Sequence, residues 1–267
     1  MKKIFLMLAT AVLAASCSDW GGSTPETVKV GYVDKLMYSS GEVVSFDYND
    51  KGYVTLISSS AGWNIAVTYE ENGIAIHNGE TEQLLKIESG YITSVMEGDT
   101  TVSTLHYQYM GYNGYLSSIS NTVENVESNL NWGGGSMVFL PTLQTNKRYS
   151  EGQRELLSTQ TIGYSYSTTA PFNVYVNLNF LPLVVPEYTQ STGVNKFVLA
   201  ALGGLRTYYL PTDVKVTTRQ EGEETASDVS RTYTYTVDQE GYYIQSVSVN
   251  GIKSFDVVYR VFENSAQ

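Results

Sequence analysis

Residues 43 to 59 read VSFDYNDKGYVTLISSS. Acid, amide, acid and then glycine at the sixth place invite a calcium-loop reading. Laid on the EF-hand template, Asp47, Asn49 and Gly52 fall into place, but Lys51 occupies a ligand position and Ser58 stands where a bidentate Glu is required. A cation among the ligands repels the metal. The stretch therefore reads as strand, turn and strand, with Asn49-Asp50-Lys51-Gly52 as the turn of a hairpin. No metal site is expected.

The same unit recurs along the chain. Gly-Tyr-apolar-Thr/Ser-x-Ile/Val begins at Gly52-Tyr53, Gly90-Tyr91 and Gly114-Tyr115, with a stretched copy at Gly241-Tyr242. Acidic turns of similar form stand at Glu70-Glu71-Asn72-Gly73 and Asp238-Gln239-Glu240-Gly241. Four Asn-Gly pairs, at 72–73, 78–79, 113–114 and 250–251, are hairpin signals because both residues tolerate the positive φ of a type I′ turn. Between the turns the period is two: Tyr233, Tyr235 and Val237 share one face, and Thr232, Thr234 and Thr236 the other. Consecutive hairpins of this kind build an antiparallel meander. The segment Trp132-Gly133-Gly134-Gly135-Ser136 reads as a long turn between strands at 123–132 and 136–140.

One stretch departs from the pattern. Val194, Phe197, Val198, Ala201, Leu202 and Leu205 follow the spacing of a helical face, with Ser191 or Thr192 to cap the start and Gly203-Gly204 the end. Upstream, Val174, Val176, Leu178 and Phe180 alternate with polar residues and Tyr175 as in a strand, before Pro182 and Pro186 force a loop. The expected fold is mainly β: a large antiparallel meander of hairpins, curved or sandwich-like, with one amphipathic helix near 194–205 packed on it.

The N-terminus carries an address. Lys2 and Lys3 precede an apolar run from Ile4 to Leu13, then Ala14, Ala15, Ser16 and Cys17. The run is short of the roughly 20 residues that span a bilayer, and its form is that of an export signal over residues 1–16. Cys17, the single cysteine, sits where a lipoprotein signal peptidase cuts and where the new N-terminus is acylated, which assigns it as the lipid attachment site. The partner so implied is the outer membrane, reached through lipid. Residues 17–27 read as a flexible tether and 28–265 as a single β-rich domain.

Loss of Lys2 and Lys3 from the 16 basic residues leaves 14 against 27 acidic ones, a balance that argues against nucleic acid. With one cysteine there is no intrachain disulfide, so a hydrophobic core must supply the stability. His77 and His106, the two histidines, lie in neither a G-x-S-x-G nor an H-E-x-x-H setting, and no Gly-Lys-Ser/Thr follows the glycines at 133–135. No catalytic residue and no cofactor are assigned. Two carboxylates for glycoside hydrolysis could be drawn from any of the 27 acids. The 22 tyrosines have two readings. One is cross-strand packing with a wet hydroxyl; the other is a platform for sugar rings or a protein, with Trp63, Trp132, Tyr107, Tyr109 and Tyr112 as candidate ligand-binding residues.

The lipoprotein signal, the turns FDYNDKGYVTLI and TYTVDQEGYYIQSV, the central NWGGGSMVFL, and NVYVNLNFLPLV leading to VLAALGGLRTYYLP together resemble uncharacterised cell-envelope lipoproteins of the Bacteroidota, across most of 28–262. The turns are also similar to tyrosine-aspartate repeats of Rhs-type shell proteins. The resemblance implies an outer-membrane lipoprotein, on the cell surface or the periplasmic face, and supplies no catalytic residue. Asp19 is one acid where surface display favours a cluster. The functional expectation is a non-enzymatic module that binds a glycan or an envelope protein. A polysaccharide hydrolase using two carboxylates is the alternative, and a purely structural envelope component the third reading.

Overall fold

In a computed structural model of the chain, the described residues are 30–71, 73–110, 113–132, 141–152, 155–165, 176–188, 190–202 and 209–260. Sixteen antiparallel strands make one closed barrel in which each strand pairs with its neighbours in sequence and the first with the last. They are β1 (Tyr32–Tyr38), β2 (Val43–Tyr48), β3 (Val54–Ser59), β4 (Asn64–Glu70), β5 (Gly73–Asn78) and β6 (Thr81–Glu88). Then come β7 (Tyr91–Glu97), β8 (Thr100–Met110), β9 (Asn113–Asn121), β10 (Val126–Trp132), β11 (Pro141–Tyr149) and β12 (Leu156–Ser165). After an interruption, β13 (Asp213–Gln220), β14 (Ser227–Val237), β15 (Ile244–Val249) and β16 (Ile252–Arg260) complete the ring.

The Asn49-Asp50-Lys51-Gly52 turn forms as expected. Gly52 N–H donates to the Asn49 carbonyl at 2.9 Å, while Asn49 Oδ1 accepts from the backbone N–H groups of Lys51 and Tyr53, both at 3.0 Å. Asp238 builds the same device, its Oδ1 accepting from Tyr242 and Tyr243 N–H at 2.7 and 2.8 Å. Gly52 (φ 77°) and Gly241 (φ 81°) hold the left-handed position that ends each turn. The acids are turn-formers, and among the described residues no group of three or more His, Cys, Asp or Glu is placed to hold a metal.

The Asn-Gly pairs divide. Asn250-Gly251, at φ 52° and 77°, sits between paired Val249 and Ile252 as a type I′ turn. Asn78 pairs with Thr81, so Gly79-Glu80 are the central residues there, and Asn113-Gly114 open β9. For the fourth pair, Asn72 lies outside the described residues and Gly73 opens β5.

The expected open, curved or sandwich-like meander is corrected to a closed barrel, because the free edge of β1 meets β16 from Tyr32↔Arg260 to Tyr38↔Phe255. Bulges repeat along the strands, including one between Val33 and Lys35 that brings Val33 and Leu36 to the same buried face. Each bulge adds local twist and bend, which is what curling a sheet requires.

The faces of the wall are unlike. Val44 and Phe46 of β2, Ile65 and Val67 of β4, and Phe255 and Val257 of β16 point inward and are buried. Outward stand Thr232, Thr234 and Thr236 of β14, all exposed, and ion pairs such as Lys215–Asp228 at 2.8 Å and Lys253–Asp256 at 2.8 Å. A strand barrel that crosses a bilayer has the reverse arrangement, an apolar outer band and a polar lumen.

Sixteen strands enclose a bore wide enough for water. Here the described parts of the chain between β12 and β13 occupy it. From this segment, one helical turn α1 (Leu181–Val184), two 3-10 turns (Pro186–Tyr188 and Gln190–Thr192) and helix α2 (Lys196–Leu202) are described. The segment touches strands around the ring: Phe180 stacks on Phe255 of β16 at 6.3 Å, and Asn177 Nδ2 donates to Tyr48 of β2 at 2.9 Å. Ser103 of β8 donates to the Thr192 carbonyl at 2.7 Å, and Tyr233 of β14 to the Val184 carbonyl at 2.6 Å. Leu178, Phe180, Leu181, Val185, Val198 and Ala200 are fully buried. Each large side chain so buried contributes about 1.5–3 kcal/mol.

The helix expected near 194–205 is thus present as α2, packed on the inner face of the sheet and buried over Phe197–Ala200. Its cap is Asn195, whose Oδ1 accepts from Phe197 N–H at 2.9 Å, in place of Ser191 or Thr192, which belong to a 3-10 turn. The strand expected around 174–180 does not form over the described part: Val176 makes one isolated bridge with Gly31, and residues 177–180 run irregularly into α1. The strand expected from 123 begins at Val126, and the glycine turn and the strand expected at 136–140 lie outside the described residues.

Candidate functional site

The lumen wall changes character around the ring. Over β9 to β13 the inward row Ile119, Ser128, Asn146, Gln160 and Thr218 lies across five strands in register and turns from apolar to polar after its first member. Ser128 Oγ donates to Asn146 Oδ1 at 2.7 Å, Gln144 Nε2 donates to the same oxygen at 3.0 Å, and Asn146 Nδ2 donates to Gln160 Oε1 at 3.1 Å. Ser128, Gln144 and Asn146 are buried, so this chain offsets part of the cost of removing amides and a hydroxyl from water, while Gln144 Oε1 has no partner among the described residues.

Between this polar wall and the lumen segment lies a cavity of about 90 Å³. Ser158, Gln160, Thr218 and Asn146 line it from the barrel, and Gln190 and Ser191 from the 3-10 turn. Glu124 and Arg148 stand at its mouth, about half exposed and 3.7 Å apart. Ser191 is 1% exposed, yet its Oγ has no hydrogen-bond partner among the described residues. A second cavity, about 10 Å³ among Leu85, Val95, Leu105 and Leu199, is an apolar packing gap.

The segment is positioned against the wall by Glu187, whose carboxylate receives both terminal nitrogens of Arg231 on β14. That hydrogen bonding holds the Arg231 guanidinium above its ordinary pKa, and burial pushes the adjacent Tyr233 phenol up. Three residues beyond Glu187 the next 3-10 turn presents Gln190 and Ser191 to the cavity.

Of the aromatic residues singled out in the sequence, the two whose side chains are described, Trp63 and Tyr107, have different partners. Trp63 stacks on Phe197 of α2 at 5.4 Å and donates its indole N–H to Glu42 at 3.2 Å. Tyr107 packs on Tyr91 at 4.8 Å and donates its hydroxyl to the Ile92 carbonyl at 2.9 Å. Trp132 and Tyr109 fall on β10 and β8 with side chains outside the described set, and Tyr112 and Cys17 lie outside it altogether. Much of the tyrosine surplus has a structural use. Tyr48, Tyr107, Tyr233, Tyr235 and Tyr259 each donate to a backbone carbonyl. His77 is exposed near Glu82 at 3.7 Å, and His106 is exposed on the outer face of β8.

The polar wall escaped the sequence reading because LQTNKRY, residues 143–149, has no apolar alternation and looks like a solvated strand. That lack of alternation was the available signal, since a strand polar on both faces has something other than a hydrophobic core behind it.

No family model matches the sequence, and no curated protein matches it. Among solved structures, the fold is similar to that of a porin-like protein from Bacteroides vulgatus ATCC 8482, with a TM-score of 0.61 and 17% identity over 87% of this chain and 100% of that one. The likeness is one of fold, a closed antiparallel β-barrel.

Proposed function

We propose that the protein is a non-enzymatic, lipid-anchored module of the outer membrane that binds a glycan or an envelope protein. The carrying observation is the inversion of the wall: threonines and ion pairs face outward while Phe46, Ile65 and Phe255 face a filled lumen. The outward positions named among the described residues are polar or charged, unlike the apolar band of a bilayer-spanning barrel, and on this reading attachment falls to acyl chains on Cys17. The porin-like fold and the N-terminal signal support an envelope location. The cavity wall supports binding over hydrolysis, since it contributes one carboxylate, Glu124, where glycoside hydrolysis uses two.

Cell fractionation of Cys17→Ala tests the anchor. The variant is expected to leave the membrane fraction as a folded, soluble barrel. Retention in membranes after alkaline extraction would mean that the strands themselves are held by the bilayer, and the reading would fall. Protease added to intact and lysed cells separates the surface from the periplasmic face.

A further inference from the structure

We infer that the luminal cavity beside β10–β13 is a binding site for a single neutral sugar residue, such as the terminal unit of a glycan. The inference rests on the binding reading above and gives it a location. Three observations carry it.

First, the site is built. Asn146, Gln160 and Thr218 occupy consecutive positions of one inward row, so strand register alone brings two amides and a hydroxyl to a common surface. Ser191, 99% removed from solvent, also lines the cavity, and its Oγ has no hydrogen-bond partner among the described residues. A buried hydroxyl without a partner costs free energy unless something enters to meet it.

Second, the unsatisfied groups are of mixed sense. Among the described residues, the Asn146 amide is engaged on both atoms, whereas Gln160, which also lines the cavity, accepts through its oxygen and makes no hydrogen bond through Nε2. Ser158 and Thr218 make no side-chain hydrogen bond there either. Hydroxyls that can donate or accept, beside an amide donor, match the alternating donor and acceptor character of vicinal sugar hydroxyls. Arg148 and Glu124 compensate each other at the mouth, so the site carries no net charge and does not favour an ion.

Third, the size is limiting. A volume of about 90 Å³ accommodates about three waters, room for a few hydroxyls at the edge of one pyranose and too little for an oligosaccharide chain. A sugar entering there replaces water by fixed polar groups, which is favourable only if its hydroxyls reproduce the displaced hydrogen bonds.

The test uses the full chain in detergent, titrated calorimetrically with neutral hexoses, their methyl glycosides and neutral oligosaccharides, beside uronic acids of the same ring size. Thr218→Val, Ser158→Ala and Gln160→Leu are compared, with thermal unfolding recorded for each so that a misfolded variant is recognised. The first two remove a hydroxyl from the cavity and no protein hydrogen bond. Neutral sugars are expected to bind, with affinity falling roughly tenfold in Thr218→Val at unchanged unfolding temperature. Glycan binding unaffected by all three substitutions overturns the location while leaving the binding reading in place. Preference for uronic acids overturns the neutral specificity. Absence of any sugar binding shows the cavity to be a water site and overturns the inference. Appearance of cleaved products overturns the non-enzymatic reading itself.

Discussion

Arg231 on β14 and Glu187 in the lumen segment form a fork-to-fork pair, each guanidinium terminal nitrogen meeting one carboxylate oxygen. The side chains are 22% and 11% exposed, so neither charge can fall back on bulk water if the other is removed. Glu187→Gln or Arg231→Met is expected to destabilise the barrel by about 2–4 kcal/mol, and the double substitution Arg231→Met with Glu187→Leu to recover most of the loss. Urea unfolding of the four proteins measures it. Singles as stable as the parent would show that the pair does not hold the segment.

Gly52 and Gly241 share a conformation and differ in surroundings. A Cβ at Gly52 would come within 2.5 Å of the Tyr32 hydroxyl, whereas at Gly241 nothing lies within 4 Å. Gly241→Ala should cost about 1 kcal/mol for the left-handed backbone alone, and Gly52→Ala clearly more, because Tyr32 must move off Tyr48, with which it makes an edge contact at 5.5 Å. Denaturation midpoints of the two variants give the order, and equal losses would contradict the steric argument.

Burial raises the phenol pKa of Tyr38, Tyr48 and Tyr259 above the ordinary value of 10.0. A group whose folded pKa is raised contributes its stability fully below the unfolded pKa and loses it as pH rises toward the folded one. Stability should therefore be level with respect to these groups up to about pH 10 and decline above it. Tyrosinate absorbance recorded alongside unfolding should show these phenols ionising with the loss of fold; ionisation well before unfolding would refute the assignment.

Phe180 is fully buried and stacked on Phe255. Phe180→Ala should cost about 3–5 kcal/mol, since the ring is lost and the surrounding wall is too stiff to collapse onto the gap. Hydrogen exchange should then show the amides of residues 176–202 opening ahead of the strands, and uniform opening would mean that segment and wall unfold as one unit.

What could be read from the sequence follows from how local each interaction is. The Asn49 turn was legible because its hydrogen bonds reach two and four residues along the chain. The helix at Lys196–Leu202 was legible from its apolar spacing, but its burial inside the barrel was not, because nothing in VLAAL distinguishes the inner face of a sheet from the outer. Closure was invisible for the same reason: Tyr32 and Arg260 stand at opposite ends of the described chain, and no local signal pairs them. The cavity depends on Asn146, Gln160 and Ser191, which come from three separate elements and have no common motif.

The seam between β1 and β16 also governs how the molecule comes into being. Every other strand pair joins neighbours in the chain and can zip as the polypeptide emerges, whereas this one waits for the last strand. Until then the nascent sheet is an open ribbon with two bare edges, each a template for pairing with another chain. A copy truncated before Ile252 would keep both edges for good, so the closing strand acts as the barrel's own certificate of completion, separating closed barrels from material fated to aggregate.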